Sequence, residues 1–200
     1  MTLENHQQHL RDKARALSPF KLAHVICLTD RIGAMRDWYL AVLNAKVAFE
    51  NENLCFLRYD DEHHRVGFIR AQGMQPLPAA PSYVVDHYSF TYRNLDELFG
   101  TYLRLRDAGI APYWCINHGP TTSLYYKDPD GHKVELQVDN FTDEECDAFF
   151  ASGAYDENPI GVIFEPQAWI ERLAAGEPVK RLTERKPLPA GTNPWDMVRM

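Results

Sequence analysis

Three side chains of this sequence could hold a metal ion together. His24 and His87 stand 63 residues apart, and Glu135 stands 68 residues after Gly67. The spacings matter because the segments around these residues repeat. Laid over each other with His24 on His87, Leu22 to Ala45 and Val85 to Ala108 both read strand then helix, with Tyr39/Tyr102, Leu40/Leu103 and Ala45/Ala108 identical. Further on, Leu54 to Phe68 and Thr122 to Leu136 both read strand, tight turn, strand at an offset of 68, which sets Gly67 opposite Glu135. Two histidines and one carboxylate grip one side of a divalent ion and leave positions open for a substrate and dioxygen. A lone histidine in a strand is more often structural than a ligand; the shared position in two copies is what singles out His24 and His87. Glu135 lies between Val134 and Leu136, so period-two alternation turns it to the face opposite both. A carboxylate there is costly to bury unpaired. A metal would satisfy it, and so would an ion pair with Arg or Lys.

The elements that must position these groups follow from the apolar pattern. Leu22 to Thr29 reads as a strand, Asp30 as the cap of a helix, and Ile32, Met35, Tyr39, Val42 and Leu43 keep helical spacing along one buried face. Lys46 to Glu50, Leu54 to Tyr59 and Arg65 to Arg70 read as strands, the last two joined by the polar turn Asp60-Asp61-Glu62-His63-His64. This first module spans 21–72. A linker over 73–82 carries Pro76, Pro78 and Pro81, which disfavour helix and central strand. The second module, 83–140, repeats the order: a strand from Tyr83 to Tyr92, a helix opened by Asn94 with Glu97 three residues on, and strands after Gly109, the last two joined by Asp128-Pro129-Asp130-Gly131. Residues 1–20 form a lead-in with a short helix ending near Ser18-Pro19. Residues 141–200 repeat nothing, and hold helices near Asp143 to Ala151 and Pro166 to Ala174 before a proline-containing tail.

Composition narrows the partners. The chain has 200 residues and a formal net charge of −7, with Lys and Arg scattered, so no basic stripe offers itself to nucleic acid or an anionic membrane. The four cysteines, Cys27, Cys55, Cys115 and Cys146, show no C-x-x-C spacing and suit a reducing compartment. No stretch approaches the ~18 apolar residues of a membrane span, and the polar first 17 residues lack the apolar core of a signal peptide. A soluble, cytoplasmic protein acting on a small molecule is expected, as a homo-oligomer.

The repeat and its residues resemble the vicinal oxygen chelate superfamily, which includes glyoxalase, bleomycin-resistance proteins and type I extradiol ring-cleaving dioxygenases. The resemblance covers about residues 20 to 140. It implies an α+β fold of two tandem βαβββ modules forming an open cup, here with a helical and irregular C-terminal extension. Within the superfamily the ring-cleaving dioxygenases fit best: their iron ligands, a histidine in the first strand of each module and a glutamate in the last strand of the second, match His24, His87 and Glu135. Glyoxalase-like members take a fourth ligand from the last strand of the first module, where this chain has Gly67. Three protein ligands leave room for a bidentate catecholate and dioxygen. The donor set implies Fe(II), and Mn(II) uses similar ligands.

The resemblance also assigns residues around the metal. His63-His64-Arg65-Val66-Gly67-Phe68 resembles the segment that supplies an acid/base histidine, with His64 at the functional position; by itself the pair also reads as two solvated histidines in a turn. Tyr125 matches the tyrosine that hydrogen-bonds a substrate oxygen, while Tyr126 should face the other way and pack. His118 resembles the histidine that supports this tyrosine, although the stretch from His118 to Tyr125 is shorter than in the larger two-domain enzymes. The implied activity is extradiol cleavage of a catechol-type substrate by dioxygen. Two other readings stand beside it: a metal-dependent isomerase, epimerase or transferase of the same superfamily, which has no need of His64 or Tyr125, and a metal-free protein that sequesters an aromatic drug. Tyr113, Trp114 and Phe141 lie near the expected cleft and receive no role from sequence.

Overall fold

A computed structural model describes residues 3–14, 18–75 and 85–199. The linker prolines Pro76, Pro78 and Pro81 lie outside the described residues, as do residues 15–17 of the lead-in. Helix α1 (Leu3–Ala14) precedes the first module, which runs β1 (Val25–Thr29), α2 (Ile32–Leu43), β2 (Lys46–Glu50), β3 (Leu54–Arg58) and β4 (Val66–Arg70). The second runs β5 (His87–Thr91), α3 (Leu95–Asp107), β6 (Trp114–Asn117), β7 (Thr121–Lys127) and β8 (Lys133–Asp139). Each module makes its own sheet with the same order: β1-β4-β3-β2 in the first, β5-β8-β7-β6 in the second. The first and last strand of each module pair parallel and the others antiparallel. This is the βαβββ repeat.

The register tests the overlay. Ile26 pairs with Gly67 in module one and Ser89 with Glu135 in module two. His24 and His87 stand two residues before Ile26 and Ser89, so the first-strand and last-strand matches hold. The middle strand needs a correction. Phe56 pairs with Gly67 and Tyr125 with Glu135, so β3 and β7 correspond at an offset of 69, not 68. The cause is the turn: eight residues separate Leu57 from its partner Val66, and seven separate Tyr126 from Val134.

Strand starts differ from the sequence pattern too. β1 begins at Val25, so His24 stands just ahead of the strand and His87 opens β5; neither lies mid-strand. Upstream of Val25 the carbonyls of Leu22 and Ala23 accept from the Arg65 guanidinium at 2.7 and 3.0 Å, so a side chain takes the place of a ladder. Asp30 does not cap α2. Arg31 holds the N-cap position, and its amide donates to Thr29 Oγ1 at 3.0 Å. Asn94 does cap α3, accepting from Glu97 N, while the Glu97 carboxylate reaches back to Arg93 N.

Alternation then sorts the side chains. Cys55, Leu57, Val66 and Phe68 in module one, and Leu124, Tyr126, Val134 and Leu136 in module two, join α2 and α3 in one hydrophobic core. All four α2 positions at helical spacing before Leu43 are buried, with Met35 and Val42 fully enclosed. Truncating one such side chain to alanine costs about 2–5 kcal/mol. The modules are latched at several points. The Tyr39 hydroxyl donates to buried Asp128 at 3.1 Å, and the Arg104 guanidinium donates to the carbonyls of Ala41 and Val42 at the end of α2. Arg104 overlays Ala41 at the 63-residue offset, so this contact joins equivalent positions of the two helices.

The C-terminal extension contains α4 (Asp143–Ala151), α5 (Ala154–Glu157), β9 (Val162–Ile163), α6 (Pro166–Ala174), α7 (Val179–Leu182) and a 3-10 turn at Pro194–Met197. The first and third helices fall where the pattern placed them. Strand β9 was not foreseen: it pairs with β6 and covers the outer edge of the second sheet, while β2 remains the exposed edge of the first. Among the described residues no helix is long and apolar enough to cross a membrane.

Candidate metal and substrate site

Each sheet carries one row of residues on its helix-free face. In module two the row is Ser89, Glu135, Tyr125 and Trp114; in module one the same positions hold Ile26, Gly67, Phe56 and Phe49. Glu135 sits at the centre of the polar row and is only 4% exposed. Its carboxylate lies 3.2 Å from His87 Nε2, with the hydroxyls of Ser123, Ser89 and Tyr125 beside it. Burial alone would raise its pKa, but these four partners outweigh burial and hold it down to about 2. The pairing with Glu135, aided by Asp86, pushes His87 up to about 9. No lysine or arginine among the described residues forms an ion pair with Glu135; the expected alternative to a metal is replaced by a histidine and three hydroxyls.

Asp86 is a member of the site that the sequence did not reveal. Its carboxylate sits 2.8 Å from His87 Nδ1 and accepts from Lys133 Nζ at 2.9 Å. A carboxylate behind one imidazole nitrogen fixes the ring and sets the direction of the other, here Nε2, which faces Glu135. The usable signal was adjacency: an aspartate immediately before a candidate ligand. Ser89 and Ser123 could likewise have been found by stepping two residues from His87 and Tyr125 along their strands.

Tyr125 and His118 continue the array. His118 Nε2 lies 3.1 Å from the Tyr125 hydroxyl, and its Nδ1 lies 2.5 Å from the carbonyl of Ile160. A nitrogen facing a carbonyl must carry the hydrogen, so neutral His118 presents a bare Nε2 to Tyr125. Burial lowers the His118 pKa and favours this neutral form. The Tyr125 hydroxyl therefore has one proton for two acceptors, Glu135 and His118. Burial and the Glu135 charge keep that proton on the phenol at ordinary pH. Tyr126 faces the core, as alternation required.

The extension holds His118 in place. Arg185 donates to the carbonyls of His118, Asn158 and Ala154, and Asn117 Nδ2 donates to Thr183 O at 2.7 Å. Gly161, at φ +120°, approaches Asn117 so closely that a Cβ would stand 2.3 Å from the Asn117 carbonyl. Only glycine fits there. Trp114, stacked on Tyr125 with centroids 4.7 Å apart, extends the polar row with a flat aromatic surface, and its indole Nε1 is buried without a hydrogen-bond partner. The Tyr113 hydroxyl is also buried without one; burial, with the charges of Asp86 and Glu135, pushes it up to about 12.

The module-one residues meet differently. His24 stacks on His64 at 4.2 Å, and His64 stacks on Phe56 at 4.5 Å. His63 stands beside both, 6.0 Å from His24 by ring centroids. Among the described residues, the three side chains whose ligand atoms all lie within 4.8 Å of one another are His24, His63 and His64, so the His24 ring is turned toward His64 and does not join the His87–Glu135 pair. Burial lowers the His64 pKa, and the neighbouring His24 and His63 lower it further, which keeps it neutral near pH 7. Gly67 offers no ligand and no room for one: a Cβ there would come within 2.5 Å of Ile26 Cδ1 and 2.9 Å of Phe56 Cδ1. A cavity of about 1030 Å³ lies elsewhere, between the start of α3, the end of β8 and the extension, lined by Asn94, Val138, Phe141, Phe149 and Arg185 among others.

The model of the glyoxalase/bleomycin resistance protein/dioxygenase superfamily matches residues 21–136, the span of the two modules. The chain belongs to that superfamily. Biphenyl-2,3-diol 1,2-dioxygenase 2 of Rhodococcus globerulus is 46% identical over 166 residues, covering 82% of this chain and 86% of that protein. Biphenyl-2,3-diol 1,2-dioxygenase 3 of the same organism is 44% identical over 167 residues, covering 82% and 88%. Both likenesses are longer than the span matched by the superfamily model, so they reach outside residues 21–136. A superfamily domain from Frankia sp. EAN1pec shares the fold, with a TM-score of 0.51 at 19% identity over 61% of this chain and 99% of that one.

The donor set fits a divalent ion of this superfamily. Glu135 supplies a buried, ionised carboxylate, His87 supplies an Nε2 oriented by Asp86, and His24 occupies the corresponding place in the other module. Two imidazoles and one carboxylate suit Fe(II) and leave an open face.

Proposed function

We propose that this protein is an extradiol dioxygenase: it holds Fe(II) through His24, His87 and Glu135 and uses dioxygen to open the ring of a catechol next to its two hydroxyls. The observation that carries this reading is the hydrogen-bonded array Asp86, His87, Glu135, Tyr125 and His118, which prepares a ligand pair and a substrate-facing hydroxyl in one connected unit. The likeness to two enzymes named for a catechol of this kind supports it. Iron, when bound, supplies the electron transfer between the aromatic diol and dioxygen that spin rules otherwise slow.

The protein's own groups do the rest. With Glu135 engaged as a ligand, the Tyr125 proton is left to His118 Nε2, and the phenol oxygen becomes an acceptor for a substrate hydroxyl. Substrate orientation is thereby fixed before oxygen enters. His64 starts neutral, so it can take up the proton that a diol hydroxyl gives up on binding, hold it as positive charge and return it as the ring opens. Both oxygen atoms end in a yellow ring-opened product. The apolar row Ile26, Phe56 and Phe49 supports a second aromatic ring on the substrate, lying against module one. The four free thiols suit a reducing cytoplasm, and the exposed edge strand β2 together with Phe20, 95% exposed, supports a homo-oligomer.

The test is anaerobic reconstitution with Fe(II) or Mn(II), followed by oxygen uptake and visible absorbance against mono-, bi- and fused-ring catechols. Uptake coupled to a yellow chromophore, best with a two-ring diol and Fe(II), is the expected result. Tight iron binding without uptake on any catechol would replace this reading with an isomerase or transferase, and absence of metal binding would replace it with a sequestering protein.

A further inference from the structure

We infer a second, inhibitory cation site at His24, His63 and His64, selective for Zn²⁺ and similar ions over Fe(II), which shares His24 with the iron site and so excludes iron from it. The inhibition rests on the function proposed above; the site itself does not.

The geometry is specific. Ligand atoms of the three histidines lie within 4.8 Å of one another, a distance that small ring rotations close onto one ion with Zn–N bonds of about 2.0–2.1 Å. His24 and His63 are solvent-exposed, so both the ion and the rings have room. Glu62 orients the set: its Oε1 lies 3.3 Å from His63 Nε2, which places the hydrogen there and leaves a lone pair on Nδ1. That Nδ1 is aimed at His64 Nδ1 only 2.5 Å away. Two lone pairs that close repel unless a proton or a cation lies between them. Glu62 thus does for His63 what Asp86 does for His87.

Chemistry sets the selectivity. An all-imidazole site follows the general affinity order in which Zn²⁺ and Cu²⁺ exceed Fe²⁺, and lacks the carboxylate that favours the harder ion. Occupying it withdraws a proposed iron ligand, His24, and the proposed acid/base, His64, in one event. His63 belongs to the zinc set alone, and Glu135 to the iron set alone. Single substitutions can therefore separate the sites.

The experiment titrates metal-free protein with Zn²⁺ by calorimetry and with Co²⁺ by visible absorption, whose intensity reports tetrahedral nitrogen coordination. Glu135→Gln, which disables the iron site, should still bind one Zn²⁺; adding His63→Ala should weaken that binding at least tenfold while the melting temperature stays unchanged. His87→Ala in place of Glu135→Gln should behave the same way and guards against a fold defect in the first variant. In iron-loaded wild-type protein, Zn²⁺ should suppress oxygen uptake, and His63→Ala should raise at least tenfold the Zn²⁺ needed to halve uptake, each protein measured against its own Zn²⁺-free turnover. Equal Zn²⁺ affinity with and without His63, or loss of Zn²⁺ binding in both Glu135→Gln and His87→Ala, would overturn the site. Should no catechol be turned over, the titrations still decide it.

Discussion

The two modules share a fold and have divided the chemistry. Position for position, Ile26 stands where Ser89 stands, Gly67 where Glu135 stands, Phe56 where Tyr125 stands and Phe49 where Trp114 stands. One row is apolar and bare of ligands; the other surrounds a buried carboxylate with donors. The same backbone can carry either row because these positions lie off the shared core, where Leu57 and Tyr126, or Phe68 and Leu136, do the packing. Duplication thus leaves the core constrained in both copies and frees one helix-free face in each. Beside these two rows, His24 and His87 are a matched pair that stayed alike.

The contrast is most sharply broken at its centre. Glu135→Gln keeps the shape of the row and removes its charge, so iron content and oxygen uptake should each fall by more than about 100-fold, beyond the roughly 10–100-fold seen when an outer partner of a ligand is lost. Iron analysis after gel filtration, with uptake on a two-ring diol, measures both. Retained iron and turnover would remove Glu135 from the ligand set.

Next in size is the pair beside it. Tyr125→Phe deletes the one proton shared between Glu135 and His118 and should lower kcat by about 10–100-fold. Phe56→Leu at the matching position should leave kcat alone and raise KM for a two-ring substrate by less than about tenfold, since ring stacking is worth about 0.5–1.5 kcal/mol. A fall in kcat for Phe56→Leu would show that the apolar row takes part in the chemistry and would dissolve the division of labour.

The matched histidines and the Gly67/Glu135 contrast were legible in the sequence because side chains of different chemistry interrupted an otherwise repeating pattern. The middle of each row was not. One extra residue in the first turn moves the β3 correspondence to an offset of 69, and a register shift between Val47 and Phe49 brings Phe49 opposite Phe56. Neither leaves a periodic trace. Asp86 was hidden because charged residues beside a strand end are usually solvated, and β9 because a two-residue strand carries no alternation. The turning of His24 toward His64 depends on ring stacking across the fold, which no local pattern encodes.

Gly67 gives a smaller, structural test of the same comparison. If module one has closed over the position that holds a ligand in module two, Gly67→Ala should force Ile26 and the Phe56 ring to shift, at a cost of about 1–2 kcal/mol within the usual range for overpacking. Thermal unfolding should show a drop of a few degrees, with kcat per folded molecule unchanged. An unchanged melting temperature would mean that the pocket opposite Glu135 is still open.

The smallest effect lies in the turns, where one carboxylate position has taken two kinds of partner. Asp60 and Asp128 correspond at an offset of 68; Asp60 holds Arg65 Nε at 2.8 Å, while Asp128 holds His132 Nδ1 at 3.0 Å. The hydrogen bond to Asp128 raises the His132 pKa against the opposing effect of burial. A group whose folded pKa is raised contributes stability that is complete below its unfolded value, near 6.5 for histidine, and is lost as pH climbs through the folded value. The melting-temperature difference between wild type and His132→Gln should therefore be largest below about pH 6.5 and shrink as the pH rises through the raised folded value. The difference for Arg65→Gln should stay flat over that window, because a guanidinium keeps its charge throughout. The second module's turn also carries the Tyr39 hydrogen bond that ties the modules together, so alkaline loosening there reaches the inter-module latch. A flat His132 difference would mean that the imidazole acts at Asp128 only as a neutral donor, and that the two turns differ in geometry alone.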